Sequence, residues 1–167
     1  MGNFDIEQQE INKHTLQLIN KKVLESDTGL LLGGPSCVGK THFSFYLKRQ
    51  DGFVGVKYMP KLKAKHLFES KNADEYYKVP NTDGYTNKGK VVIVLGIPFT
   101  VFLARCTLRK KFSGFIKKPN AAEIFKERYS VNMLPKLEEY NIPHILLDAR
   151  NDYPVLDKLS FIEMLST

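Results

Sequence analysis

Between an apolar run, Gly29-Leu-Leu-Leu-Gly33, and a helix-like segment, Thr41-His-Phe-Ser-Phe-Tyr-Leu-Lys48, stand Gly34-Pro-Ser-Cys-Val-Gly39-Lys40-Thr41. These eight residues meet the pattern G-x-x-x-x-G-K-[ST] at every fixed position. The arrangement requires a strand to enter a tight glycine loop and a helix to leave it. It also carries chemistry: the loop's backbone N–H groups and the positive end of the helix form a nest for phosphate oxygens. Gly34, Pro35, Ser36, Cys37, Val38, Gly39, Lys40 and Thr41 are therefore the candidate nucleotide-binding residues. Lys40 is expected to reach the β and γ phosphates, and the Thr41 hydroxyl is the candidate Mg²⁺ ligand. Chance matches to the bare pattern are common. Matches with both flanks correct are not, which weighs against an ordinary glycine turn.

A chain of 167 residues is expected to form a single domain, 1–167, with a sizeable core. Its 43% hydrophobic and 26% charged residues are ordinary for a soluble globular protein. The longest apolar runs, Val91–Val94 and Pro98–Ala104, are too short to span a bilayer, so no membrane partner is expected. Residues 1–25 do not read as a charged-then-apolar leader and Ile6 stands where a myristoylation signal needs Ser or Thr, so neither secretion nor lipidation is expected. Cys37 and Cys106 make neither a metal pattern nor a disulfide framework, so reduced thiols and a cytoplasmic setting are expected. Cys37 reads as a small residue that fits the loop rather than as a redox-sensitive thiol. The net charge of +7 points to polyanionic partners. Nucleotides satisfy that inference, and nucleic acid is the other partner it admits.

The pattern along the chain predicts an α/β fold. An amphipathic helix is expected over about 4–25, with Phe4, Ile11, Leu18 and Ile19 on its apolar stripe. A second strand is expected at Phe53–Tyr58. Residues 60–90 are rich in Lys, Asn, Tyr and Asp, with a turn at Pro80–Gly84, a short helix near Ala64–Ser70 and a short strand near Tyr76–Val79. Val91-Val-Ile-Val-Leu95-Gly96 is a β-branched run of the kind buried on both faces of a parallel sheet. A helix over about Phe99–Lys111 follows. Asn120-Ala-Ala-Glu123 then resembles a capping box for a helix that Pro135 interrupts. Ile142–Asp148 is the last strand and Pro154–Leu165 the last helix. Alternation of this kind implies a three-layer arrangement around a mainly parallel sheet flanked by helices.

Taken with Gly34–Thr41, Val91–Leu95, the arginines of Phe102-Leu-Ala-Arg-Cys-Thr-Leu-Arg-Lys-Lys111 and the segment Asp148-Ala-Arg-Asn151, this layout resembles the P-loop kinase group. The likeness covers most of the chain after about Thr28, and the phosphate loop is its specific part. The resemblance implies a P-loop NTPase-type fold, ATP and Mg²⁺ as cofactors, an acceptor region over about 58–90 and a lid over about 105–119. It further implies that Arg105 and Arg109, four apart and so on one helix face, stabilise the transferring phosphoryl group. Arg150 and Asn151 would sit in a base-contacting loop after the last strand.

Two departures from that pattern matter. Gly96 ends the long strand where a metal-binding acid is expected, and Lys57-Tyr58 stands where many such kinases carry Asp or Glu. Asp83 is the candidate general base, chosen for its turn shortly before the long strand; a solvated surface acid is the plainer reading. Asp148, ending His-Ile-Leu-Leu-Asp, reads either as a magnesium-orienting acid or as a strand-end acid capping a helix. Lys57, Lys61, Lys63 and Lys65, with Tyr58 and His66, read as a grip on an anionic acceptor or as a solvated loop. The expected function is an ATP-dependent kinase acting on a nucleoside- or nucleotide-like acceptor. Alternatives are a kinase acting on a polynucleotide 5′-hydroxyl or a hydroxymethylated base in DNA, and a nucleotide-binding module without catalysis. GTPase switching is disfavoured, because Asn87-Lys88-Gly89-Lys90 lacks the aspartate that reads guanine.

Overall fold

The computed structural model describes residues 10–25, 29–35, 37–54, 63–65, 90–139 and 141–167. The elements run α1 (Lys13–Leu24), β1 (Gly29–Gly33), α2 (Lys40–Arg49), β2 (Lys63–Lys65), β3 (Lys90–Gly96), α3 (Phe99–Arg109) and α4 (Ser113–Ile116). There follow α5 (Ala121–Glu127), a π-helical segment (Arg128–Met133), α6 (Leu134–Glu139), β4 (His144–Asp148) and α7 (Lys158–Leu165). The four strands form one parallel sheet in the order β2-β1-β3-β4. The β1–β3 register sets Gly33 beside Val94, and the β3–β4 register sets Gly96 beside Asp148.

β3 is the central strand its composition announced: Val91 to Leu95 are inaccessible to solvent. Two groups of helices flank the sheet. α1 buries Thr15, Ile19 and Val23 and is anchored at its start, where Asn12 caps Thr15 N at 2.8 Å and the Thr15 hydroxyl donates to Tyr153 O at 2.7 Å. Phe43 of α2 meets the Tyr153 ring edge-on at 4.9 Å, so α1 and α2 converge on the turn after β4. The second group is held by rings: Phe102 lies 4.5 Å from Phe125, Phe125 lies 5.5 Å from Tyr129, and Tyr129 lies 5.5 Å from Phe161. This chain of contacts joins α3, α5, the π segment and α7.

Several expectations need correction. Phe53 and Val54 are outside the sheet and 55–58 lie outside the described residues; the second strand among the described residues is Lys63–Lys65, so Ala64 and Lys65 are extended rather than helical, while 66–70 lie outside the described part. The first helix begins at Lys13, because Asn12 is its cap, and residues 4–9 lie outside the described part. α3 stops at Arg109, since Lys110 turns left-handed and Lys111 N donates to Cys106 O at 2.9 Å. Asn120 makes no side-chain cap bond; its φ of −104° and ψ of 20° are not the extended cap geometry, and Ala121 N donates instead to Lys118 O. Pro135 does not break its helix. The helix widens to π geometry just before it, which accommodates a ring without an N–H. The last helix starts at Lys158, capped by Asp157, because Val155 pairs with Leu147 first. The strand near 76–79 and the turn at 80–84 lie outside the described residues.

Candidate phosphate-binding site

The strand order positions the site. From β1 the chain continues to β2 on one side, and from β3 to β4 on the other, so the connections diverge between β1 and β3. A crevice opens at such a point beyond the carboxyl ends of the strands, the usual ligand position in open α/β sheets. Gly34 and Gly96 lie at those ends.

Gly34, Cys37 and Gly39 have φ of 139°, 71° and 101°, and these turns curl the loop back on itself. Glycine is required at Gly34: a Cβ there would come 2.9 Å from Leu95 O and 3.0 Å from Val38 Cγ1. Gly39 is the N-cap of α2, and no side chain among the described residues caps that helix. Its first bond is Phe43 N to Gly39 O at 2.9 Å, and the loop leads directly into this positive helix end. The Lys40 ammonium donates to Gly34 O and Pro35 O, each at 2.7 Å, and only 7% of the residue is exposed. Burial pulls its pKa down to about 8, against a smaller opposing influence of Cys37. Thr41 is exposed in the first turn of α2.

Arg105 reaches from α3 to the loop, donating to Cys37 O at 3.2 Å and Val38 O at 3.4 Å. Burial, then Arg109, lowers its pKa, while Tyr153 and Cys37 oppose and Arg150 adds to the lowering. Arg109, one turn further along α3, is exposed. His42 is held below its ordinary pKa by burial and then by Arg109 and Arg105. Loop, α2, α3 and the turn after β4 thus concentrate positive charge around one place.

The Asp148 carboxylate accepts from Arg150 N at 3.1 Å, Arg150 Nε at 2.9 Å and Arg150 Nη2 at 2.8 Å. It does not cap the last helix, whose cap is Asp157. Arg150 is thereby fixed as a half-exposed fork, and its neighbour Asn151 is exposed at φ 54°. At Gly96 an acid has no room: a Cβ would come 2.5 Å from Phe161 Cζ and 2.7 Å from Phe161 Cε2. Among the described residues no three His, Cys, Asp or Glu side chains gather as a metal site. The residues present fit a magnesium ion held through Thr41 Oγ1 and the phosphates themselves. They do not fit one held by a β3 carboxylate.

Of the candidate residues, Gly34, Pro35, Cys37, Val38, Gly39, Lys40, Thr41 and Arg105 come together, with Arg109 and Arg150 near enough to act electrostatically. Ser36 and Asp83 lie outside the described residues. Sequence reasoning missed three contributors. Tyr129, fully buried, donates from its hydroxyl to Leu95 O at 2.8 Å and so ties the end of β3 beside Gly34. Tyr153, buried at φ 56°, supports α1 and α2; Cys106 is buried near Cys37, and burial first and then that neighbour push its pKa up. Each depends on a contact between distant residues, and only the odd position of Pro135 hinted at the π turn that carries Tyr129.

The chain matches no family model, and comparison with curated proteins and with solved structures finds no match. No helix among the described residues is long and apolar enough to cross a membrane.

Proposed function

We propose that this protein is an ATP-dependent kinase of P-loop NTPase type that transfers the γ-phosphoryl group to a hydroxyl or phosphate of a nucleoside-like acceptor. One observation carries the reading: at the carboxyl end of β1, a loop with positive φ at Gly34, Cys37 and Gly39 holds a buried lysine ammonium, receives Arg105 and leads into a helix N-terminus that no side chain among the described residues caps. An ordinary turn needs none of these together.

In this reading the N–H groups opening α2 bind and orient the β and γ phosphates. The Lys40 ammonium balances their charge, and Arg105 keeps the loop in shape by holding the Cys37 and Val38 carbonyls. Arg109 adds positive potential where charge spreads over the equatorial oxygens. Magnesium, when bound through Thr41, neutralises phosphate charge. The acceptor oxygen forms a bond to the γ phosphorus as the bond to the β–γ bridging oxygen breaks, releasing ADP and the acceptor's proton. Asp83 is the proposed base for that proton. Arg150 and Asn151 border the base-contacting side.

A nucleotide-binding module without transfer is the second reading, favoured by the closed position at Gly96 and the Asp148 carboxylate engaged by Arg150. Incubation with γ-labelled ATP and Mg²⁺ separates the two, with nucleosides, nucleoside monophosphates, 5′-hydroxyl oligonucleotides and hydroxymethylated DNA as acceptors. Label on one acceptor class is expected, and Lys40→Ala is expected to lower it by at least about 100-fold with the fold intact. Nucleotide binding with label on no acceptor favours the module.

A further inference from the structure

The positive charge of this chain is concentrated. Residues 91–122 hold six Lys and Arg and no Asp or Glu, leaving 19 Lys and Arg against 18 Asp and Glu elsewhere. Nearly all of the +7 therefore comes from β3 to the start of α5. Of the six, Arg105 is turned onto the phosphate loop, whereas Arg109, Lys110, Lys111, Lys117 and Lys118 are exposed. Among the described residues the ion pairs join Lys136 with Glu139, Arg150 with Asp148 and Lys158 with Glu138, so none engages this group.

The stretch has a defined shape. Lys110 and Phe112 adopt φ of 54° and 55°, unusual for side chains with a Cβ, and turn the chain sharply from α3 into α4. Lys111 N donates to Cys106 O and Ile116 N to Phe112 O, each at 2.9 Å, which fixes the turn. Phe112 keeps its ring 6.0 Å from Phe102 and leaves 42% of its surface exposed among the lysines. The stretch also adjoins the glycine loop, because Arg105, one turn before Arg109 on α3, donates to Cys37 O and Val38 O.

This charge exceeds what one triphosphate uses. Lys40, Arg105 and the N–H groups of α2 serve that ligand, with Arg109 at its edge, and a mononucleotide acceptor offers a single phosphate to the lysines that remain. A row of phosphates with stackable bases matches the row of exposed cations around an exposed ring. We propose that the surface 109–118 grips the phosphodiester backbone of a single-stranded nucleic acid, with Phe112 stacking on a base, and that the acceptor is a hydroxyl of that strand. The acceptor assignment rests on the kinase reading; the binding surface does not.

The test is fluorescence anisotropy of the full chain with a labelled 5′-hydroxyl single-stranded oligonucleotide, without ATP, at 50 to 200 mM salt. Five backbone contacts predict a log–log salt slope of about −3.5, a loss of about 100-fold over that range. The double change Lys110→Gln with Lys111→Gln is expected to reduce the slope by about 1.4, as is Lys117→Gln with Lys118→Gln. Phe112→Leu, which keeps an apolar contact with Phe102, is expected to weaken the single strand about tenfold and leave duplex affinity unchanged. Absence of salt-dependent binding, an unaltered slope in both lysine pairs, or binding to anionic phospholipid vesicles but not to the oligonucleotide overturns the surface. Transfer to a free nucleoside by a chain that ignores oligonucleotides also removes the surface and keeps the kinase. Salt-dependent oligonucleotide binding with label on no acceptor keeps the surface and removes the kinase.

Discussion

Burying the Lys40 ammonium against the carbonyls of Gly34 and Pro35 moves its pKa from the ordinary 10.5 to about 8. Below pH 8 the folded and unfolded chains both hold the proton, and the cost of burying the charge, about 3 kcal/mol from that shift, is fully present. Between about 8 and 10.5 the unfolded chain retains the proton that the folded chain releases, so this destabilisation disappears as pH rises. Phosphate beside the ammonium acts in the opposite direction and favours the protonated form. Nucleotide binding is therefore expected to take up a proton around pH 8 to 9 and little below pH 7, with affinity falling towards tenfold per pH unit above about 8. Calorimetry in buffers of different ionisation heat measures the uptake. Equal uptake in Lys40→Met would assign it to another group.

At the scale of elements, the contact between β3 and α7 decides what the end of the central strand can carry. Gly96 lies under the Phe161 ring, so Gly96→Ala is expected to cost about 1–3 kcal/mol by chemical denaturation, and Phe161→Leu to relieve part of that cost. Strictly additive costs would show that the ring does not close the position. This pair also marks where the sequence stops being legible. The glycines, Lys40 and Thr41 reveal the loop because their roles are local, and Val91–Leu95 reveal β3 because burial on both faces demands apolar residues at every position. That glycine stands where the kinase pattern has an acid could be read; that the Phe161 ring leaves no room there could not, since Phe161 is far along the chain. β2 has three residues and too short a pattern to locate. Asn120 and Glu123 have the letters of a capping box, but the preceding turn holds Asn120 in the wrong backbone geometry. The kinase resemblance singles out Arg105 on the helix after β3, yet its hold on the loop carbonyls appears only in three dimensions.

Across the whole molecule, distant segments bring like charges together: Lys40 from the loop helix, Arg105 and Arg109 from α3, and Arg150 from the turn after β4. Burial first, and then the neighbouring arginines, lower the pKa of His42 and Arg105, so the ligand-free protein stores unfavourable electrostatic energy at this end of the sheet. A polyanion relieves it, and the relief should appear as global stability. At 100 times its dissociation constant, ATP is expected to add about 2.7 kcal/mol, a thermal shift of about 5–10 °C for a domain of this size. Tripolyphosphate should reproduce much of the shift and adenosine little, because the crevice offers N–H groups and cations to phosphate. Salt should stabilise the ligand-free protein by screening the cluster while shrinking the increment from ATP. Raising pH from 7 to 9 should act alike, since Lys40 then loses its proton. A larger shift from adenosine than from tripolyphosphate, in scans of the ligand-free and saturated protein, would move the source of affinity from the phosphate loop to the base-contacting side.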